Sequence, residues 1–171
     1  MSARRLTGTP HGKVARHGLR ALLTGSVAAA ALLGVGSAHA APPTQGTTTA
    51  TLTSDVVVST RPAGKSLLIT EEQATSVLNG AFTGSSAFTI GGVLHADGSG
   101  MFQGRGTFTG VVAGCGPVTL GFVLEFRVST AGAITGRAGS IAGSPVTYQS
   151  TLEGSLFSPT FVEQSTYRCH T

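Results

Sequence analysis

Two residues combine a titratable group with apolar neighbours at strand spacing. Glu163 shares alternation parity with Phe161, Tyr167 and Cys169, and Tyr148 shares it with Val146 and Leu152. If that face is an interior, a carboxyl at 163 is stripped of water and keeps its proton to higher pH, the state a general acid needs. A tyrosine hydroxyl in the same interior can orient a ligand or take part in proton transfer. The plainer expectation is that the terminal strand is irregular and Glu163 is exposed, while Tyr148 contributes packing and one hydrogen bond.

No other constellation suggests catalysis. After residue 40 the chain holds only His95 and His170, and neither follows a Gly-x-Ser-x-Gly turn or a zinc-type spacing. His95 stands just before Asp97-Gly98, where a solvated turn histidine is expected. No glycine run carries the Gly-Lys-Ser/Thr of a phosphate loop, so no cofactor or metal is expected. Glu125 and Glu153 alternate away from the apolar side, and Glu125 can neighbour Arg127 there as a surface pair of little energetic weight. The two cysteines, Cys115 and Cys169, have no Cys-x-x-Cys relationship. In an oxidising exterior they are expected to form one structural disulfide.

That exterior is itself an expectation from the N-terminus. Arg4, Arg5, Lys13, Arg16 and Arg20 form a basic stretch, residues 21–35 an apolar run, and Ala38-His39-Ala40 a small-x-small cleavage pattern. Residues 1–40 therefore read as a secretion signal cut after Ala40. The run is shorter than the ~20 residues of a spanning helix, so no membrane anchor is expected. The formal net charge of +4 includes those five bases. Beyond residue 40, six bases face seven acids, leaving no basic patch to attract nucleic acid. All ten aromatic residues also lie there, enough for one modest core.

The elements that must position these residues are strands. In residues 118–129, Val118, Leu120, Phe122, Leu124, Phe126 and Val128 share one face, with Thr119, Glu125, Arg127 and Ser129 on the other and Val123 the exception. Residues 146–156 repeat the pattern, with Val146, Tyr148, Leu152 and Leu156 inward. Further short strands are expected across residues 50–60, 65–70, 80–83, 87–95, 101–113, 133–141 and 161–169. Asp97-Gly98 reads as a tight hairpin. Residues 70–80 admit a short helix as a minor alternative, through the capping-box pattern Thr70-x-x-Gln73, but Thr75, Ser76 and Val77 favour an extended strand. Residues 41–49 (APPTQGTTT) lack apolar periodicity and read as a flexible leader, leaving residues 50–171 as a single domain. Tight turns without crossover helices imply an all-β, antiparallel up-and-down barrel of about eight strands.

Residues 78–90 (LNGAFTGSSAFTI), Ala96-Asp97-Gly98-Ser99-Gly100 and residues 106–114 (GTFTGVVAG) are similar to a family of small secreted bacterial barrels of unknown function. That family resembles the calycins and the allene oxide cyclase-like barrel. Residues 98–106 (GSGMFQGRG) resemble the glycine-rich strand of the cyclase-like barrels. The resemblance implies a barrel and carries over no catalytic residue.

Three functions fit such a fold. The first is a secreted barrel that binds a small apolar or amphipathic molecule between Phe122, Leu124, Phe126, Tyr148 and Leu152. The second is a cyclase or isomerase that folds an apolar substrate inside the lumen, with Glu163 or Tyr148 as acid or base. The third is an envelope-associated structural or inhibitory protein whose barrel is solid. The sequence implies no oligomeric state.

Overall fold

The computed structural model describes residues 42–170. The expected signal segment and its cleavage point lie outside the described residues. Eight strands run in order: β1 (Thr44–Ala63), β2 (Ser66–Gly80), β3 (Phe82–Leu94), β4 (Gly100–Val112), β5 (Gly116–Val128), β6 (Ala133–Ser140), β7 (Val146–Ser155) and β8 (Thr160–Cys169). Each pairs antiparallel with the next, and β1 closes on β8 from Thr44↔Tyr167 to Thr51↔Thr160. The result is a closed up-and-down barrel in which each strand pairs with both neighbours, with β1 beyond Thr51 paired to β2 alone; closure removes most of the exposed edge of an open sheet. Among the described residues no helix is long and apolar enough to cross a membrane. The outer face carries threonines, glutamines and arginines together with exposed apolar residues such as Val77, Met101, Val111 and Val123, and the inner face carries most of the aromatic rings.

The leader expected at residues 41–49 is corrected: from Thr44 onward the chain is strand β1. Its inward positions are Gly46, Thr48 and Ala50, small or hydroxyl residues that hide the apolar alternation. Thr48 is fully buried and its Oγ1 accepts a hydrogen bond from the Phe82 amide at 3.1 Å. Thr47 Oγ1 donates to Gln164 Oε1 at 2.8 Å across the closing seam. These contacts give a polar segment the partners that order it. Residues 70–80 are extended, with Ala74, Ser76 and Leu78 buried and Val77 outward, so the strand reading prevails over the helix.

Hairpins fall at two ends. The turns β2–β3, β4–β5 and β6–β7 share one end with both strand termini of the barrel, and the other four turns share the opposite end. At the first end Phe82 meets Phe108, Tyr148 and Tyr167 with ring centroids 5.0 to 5.6 Å apart. Tyr167 Oη donates to the Ala113 carbonyl at 3.1 Å, and Val112 and Val146 are fully buried beside these rings. The disulfide Cys115–Cys169 ties the end of β8 to the β4–β5 turn, with Cα atoms 5.4 Å apart. Its sequence separation of 54 residues corresponds to about 4 kcal/mol in the chain-entropy model. The bond is compatible with an extracellular location. This end is plugged.

At the opposite end Asp97-Gly98 forms the tight β3–β4 turn, with Gly98 at φ +83°, a conformation that side chains resist. The Ser99 amide and hydroxyl both donate to Asp97 Oδ1. Midway along the barrel, glycines leave room for rings: a Cβ on Gly106 would stand 2.8 Å from the Phe122 ring. Phe88 and Phe122 accordingly pack across β4 with centroids 6.1 Å apart.

Candidate functional site

The barrel is hollow. A cavity of about 700 Å³ runs from the aromatic plug toward the opposite end. Phe122, Leu124, Phe126, Tyr148 and Leu152, expected as ligand contacts, all line it, as does Glu163. The alternation of β5 delivers its residues as expected: Leu120, Phe122 and Val128 are buried, Leu124 and Phe126 half-buried, and Val123 outward. Phe126 stacks on Phe102 at 5.0 Å between centroids. Leu156, expected inward, instead lies past the end of β7 and is exposed at the rim.

The mouth follows from unequal strand lengths. Pairing of β1 with β8 stops at Thr51↔Thr160, after which one hydrogen bond from the Leu52 amide to the Pro159 carbonyl ends the seam. Beyond it β1 continues to Ala63 paired only with β2. The β1–β2 hairpin therefore stands above the β7–β8 turn, and Asp55, Val57, Phe157 and Pro159 line the opening between them. Phe157 is 85% exposed and Val57 51% exposed, so the rim is apolar as well as open.

Glu163 is corrected from its plainer expectation. It points into the cavity, because β8 keeps strict alternation and its register sets Leu152 opposite Glu163. Ser150 Oγ donates to Glu163 Oε2 at 3.2 Å. Burial pushes the Glu163 carboxyl above the usual range, and the Ser150 hydrogen bond lowers it only in part. Tyr148 is 7% exposed and its phenol is pushed up, first by burial and then by the charge of Glu163. Its hydroxyl makes no hydrogen bond to the described residues, contrary to the single bond expected of a packed tyrosine.

Sequence alternation missed a second acidic pair. Asp55 and Glu72 line the cavity mouth, and Glu72 is pushed up to about 7 by burial, by a hydrogen bond to Asp55 and by that neighbour's charge. Register shifts between Leu52 and Ser54 and between Ile69 and Glu72 change the parity of both strands. Bulges of this kind re-aim side chains, and no residue type announces them here. Ser76 and Ser86, paired at 2.8 Å between hydroxyls, add one more polar spot to the wall.

The remaining expected residues lie outside the cavity. His95 is exposed at the β3–β4 turn, with Nδ1 2.9 Å from Ser66 Oγ. His170 is exposed, with Nε2 2.6 Å from Thr147 Oγ1. Glu125 pairs with Arg137 on β6 rather than with Arg127, because the cross-strand register sets 125 directly opposite 137. No family model, curated protein or solved structure matches this chain.

Proposed function

We propose that this protein is a secreted, calycin-like barrel that binds one small apolar or amphipathic molecule in its lumen. The observation that carries the reading is the cavity: about 700 Å³, walled by phenylalanines and aliphatic residues and open at one end. Ligand sites typically have ~300–1,000 Å³ and a few polar groups on an apolar wall, and this lumen has that composition. The apolar rim at Val57 and Phe157 supports entry of a ligand that is poorly soluble in water. The expected N-terminal signal and the disulfide support an exterior role.

Native mass spectrometry of protein purified from its natural source tests this reading. The expected spectrum contains a mass increment that one organic molecule per chain explains and that denaturation removes. A bare chain that also fails to take up an apolar probe would overturn the proposal.

A second reading, a cyclase or isomerase acting on an apolar substrate, is favoured by one observation. Glu163 is a carboxyl in an apolar cavity whose affinity for its proton is raised by desolvation, a shift in the direction a general acid needs. Tyr148, with an unpaired hydroxyl, lines the same space. On this reading Glu163→Gln abolishes turnover of a substrate found in the lumen while leaving its binding unchanged. Undiminished turnover in that variant would remove Glu163 from the chemistry.

A further inference from the structure

The ionisable side chains that line the cavity are Asp55, Glu72, Tyr148 and Glu163. All are acids. Among the described residues no lysine, arginine or histidine faces the lumen, and Arg105, Arg127 and Arg137 all stand on the exposed outer face. An anionic ligand such as a fatty acid would therefore enter a lumen with no counter-charge and with carboxyl groups at both depths. A wholly apolar ligand would leave unused the Tyr148 hydroxyl, which has no hydrogen-bond partner among the described residues although the residue is buried. It would also leave Glu163 with Ser150 Oγ alone on one of its two oxygens.

We propose that the lumen selects apolar molecules carrying a basic nitrogen, with the ammonium seated against Glu163 and the rings of the wall around the rest. This inference rests on the apolar-ligand reading and narrows its chemistry. A buried charge is tolerated when it is paired and hydrogen-bonded. Glu163 supplies the opposite charge, Ser150 holds one carboxylate oxygen, and the Tyr148 hydroxyl is free to serve as a further polar partner. Aromatic faces add attraction for a cation, and the Phe82 and Tyr148 rings both line the cavity, with centroids 5.0 Å apart. Asp55 and Glu72 at the mouth favour entry of a cation over an anion.

The proton balance is simple. In the free barrel burial raises the affinity of the Glu163 carboxyl for its proton. A neutral amine takes that proton and becomes the paired ammonium; an ammonium arriving from solution displaces it to water. Tyr148 on β7 is the titratable group whose electrostatics involve Glu163, and Asp55 on β1 and Glu72 on β2 line the same cavity. None of them is a cation that could replace the ligand's charge.

Three probes with one aromatic body decide the matter: 1-naphthylmethylamine, 1-naphthylmethanol and 1-naphthylacetate, titrated calorimetrically into the full barrel at neutral pH. The amine is expected to bind about tenfold more tightly than the alcohol, and the acetate most weakly. Glu163→Gln should bring the amine to within about twofold of the alcohol. If that variant fails to fold, the wild-type pH series serves instead: affinity for the amine should fall on acidification while affinity for the alcohol stays level. Equal affinities for amine and alcohol, or tightest binding of the acetate, would overturn the cation preference and leave the apolar-ligand reading standing. Failure of all three probes to bind would overturn both.

Discussion

Ser150 Oγ donates a hydrogen bond of 3.2 Å to Glu163 Oε2, joining β7 to β8 inside the barrel. Two opposed effects meet at this carboxyl. Loss of water favours the neutral acid, and the hydroxyl donor favours the carboxylate, with burial the larger. Ser150→Ala should therefore raise the Glu163 pKa further, as followed by carbon NMR of the side-chain carboxyl. A pKa unmoved by the substitution would mean the hydroxyl is bonded elsewhere.

Acidity of the lumen sets the pH dependence of stability. Glu163 and Glu72 both have folded pKa values above the ordinary 4.5, Glu72 at about 7. An acid whose pKa is raised by folding binds its proton more tightly in the folded state. Its contribution is fully present below the unfolded pKa and is lost as pH rises through the folded one. The ligand-free barrel should melt at progressively lower temperature from about pH 4.5 through pH 7 and above. The Glu72→Gln, Glu163→Gln double variant should flatten that slope. A wild-type melting temperature that rises over this window would contradict the placement of both carboxyls.

A buried ring and a half-buried ring of the cavity wall should respond differently to truncation. Phe122 is buried at 7% exposure, and Phe122→Ala should cost ~3–5 kcal/mol in denaturant unfolding. Phe126 is half-buried at the cavity wall, so Phe126→Ala should cost less and should weaken ligand binding. Equal losses of stability in the two variants would argue against a hollow at Phe126.

Closure depends on the first residues of β1. A chain beginning at Ala50 lacks the seam from Thr44↔Tyr167 through Thr49↔Val162 and loses the buried Thr48. It should unfold at markedly lower denaturant concentration or aggregate through the freed edge of β8. Undiminished stability would show that the seam is dispensable.

The parts of this fold that could be read from the sequence are those governed by period two and by cysteine count. The alternation of Leu120, Phe122, Leu124 and Phe126 fixed a face, and the disulfide followed from two cysteines. The start of β1 was hidden because Gly46 and Thr48 occupy inward positions that apolar residues usually hold. Asp55 and Glu72 were hidden by bulges, since each register shift reverses parity along the rest of a strand. Leu156 was misplaced because the β7 pattern was carried one residue past the strand's end at Ser155. Glu163 lay within reach of parity alone, and only the regularity of β8 decided in its favour.

The most direct test of a hollow, ligand-binding barrel is equilibrium titration with the neutral apolar fluorophore N-phenyl-1-naphthylamine, in wild type and in an Ala74→Phe variant. Ala74 is buried on β2 and lines the cavity, so a ring at that position occupies ligand space. The expected result is saturable binding of one probe per chain in the wild type, reduced at least about tenfold in a folded Ala74→Phe protein. Binding that does not saturate, or that the filled variant retains in full, would contradict a ligand seated inside the barrel.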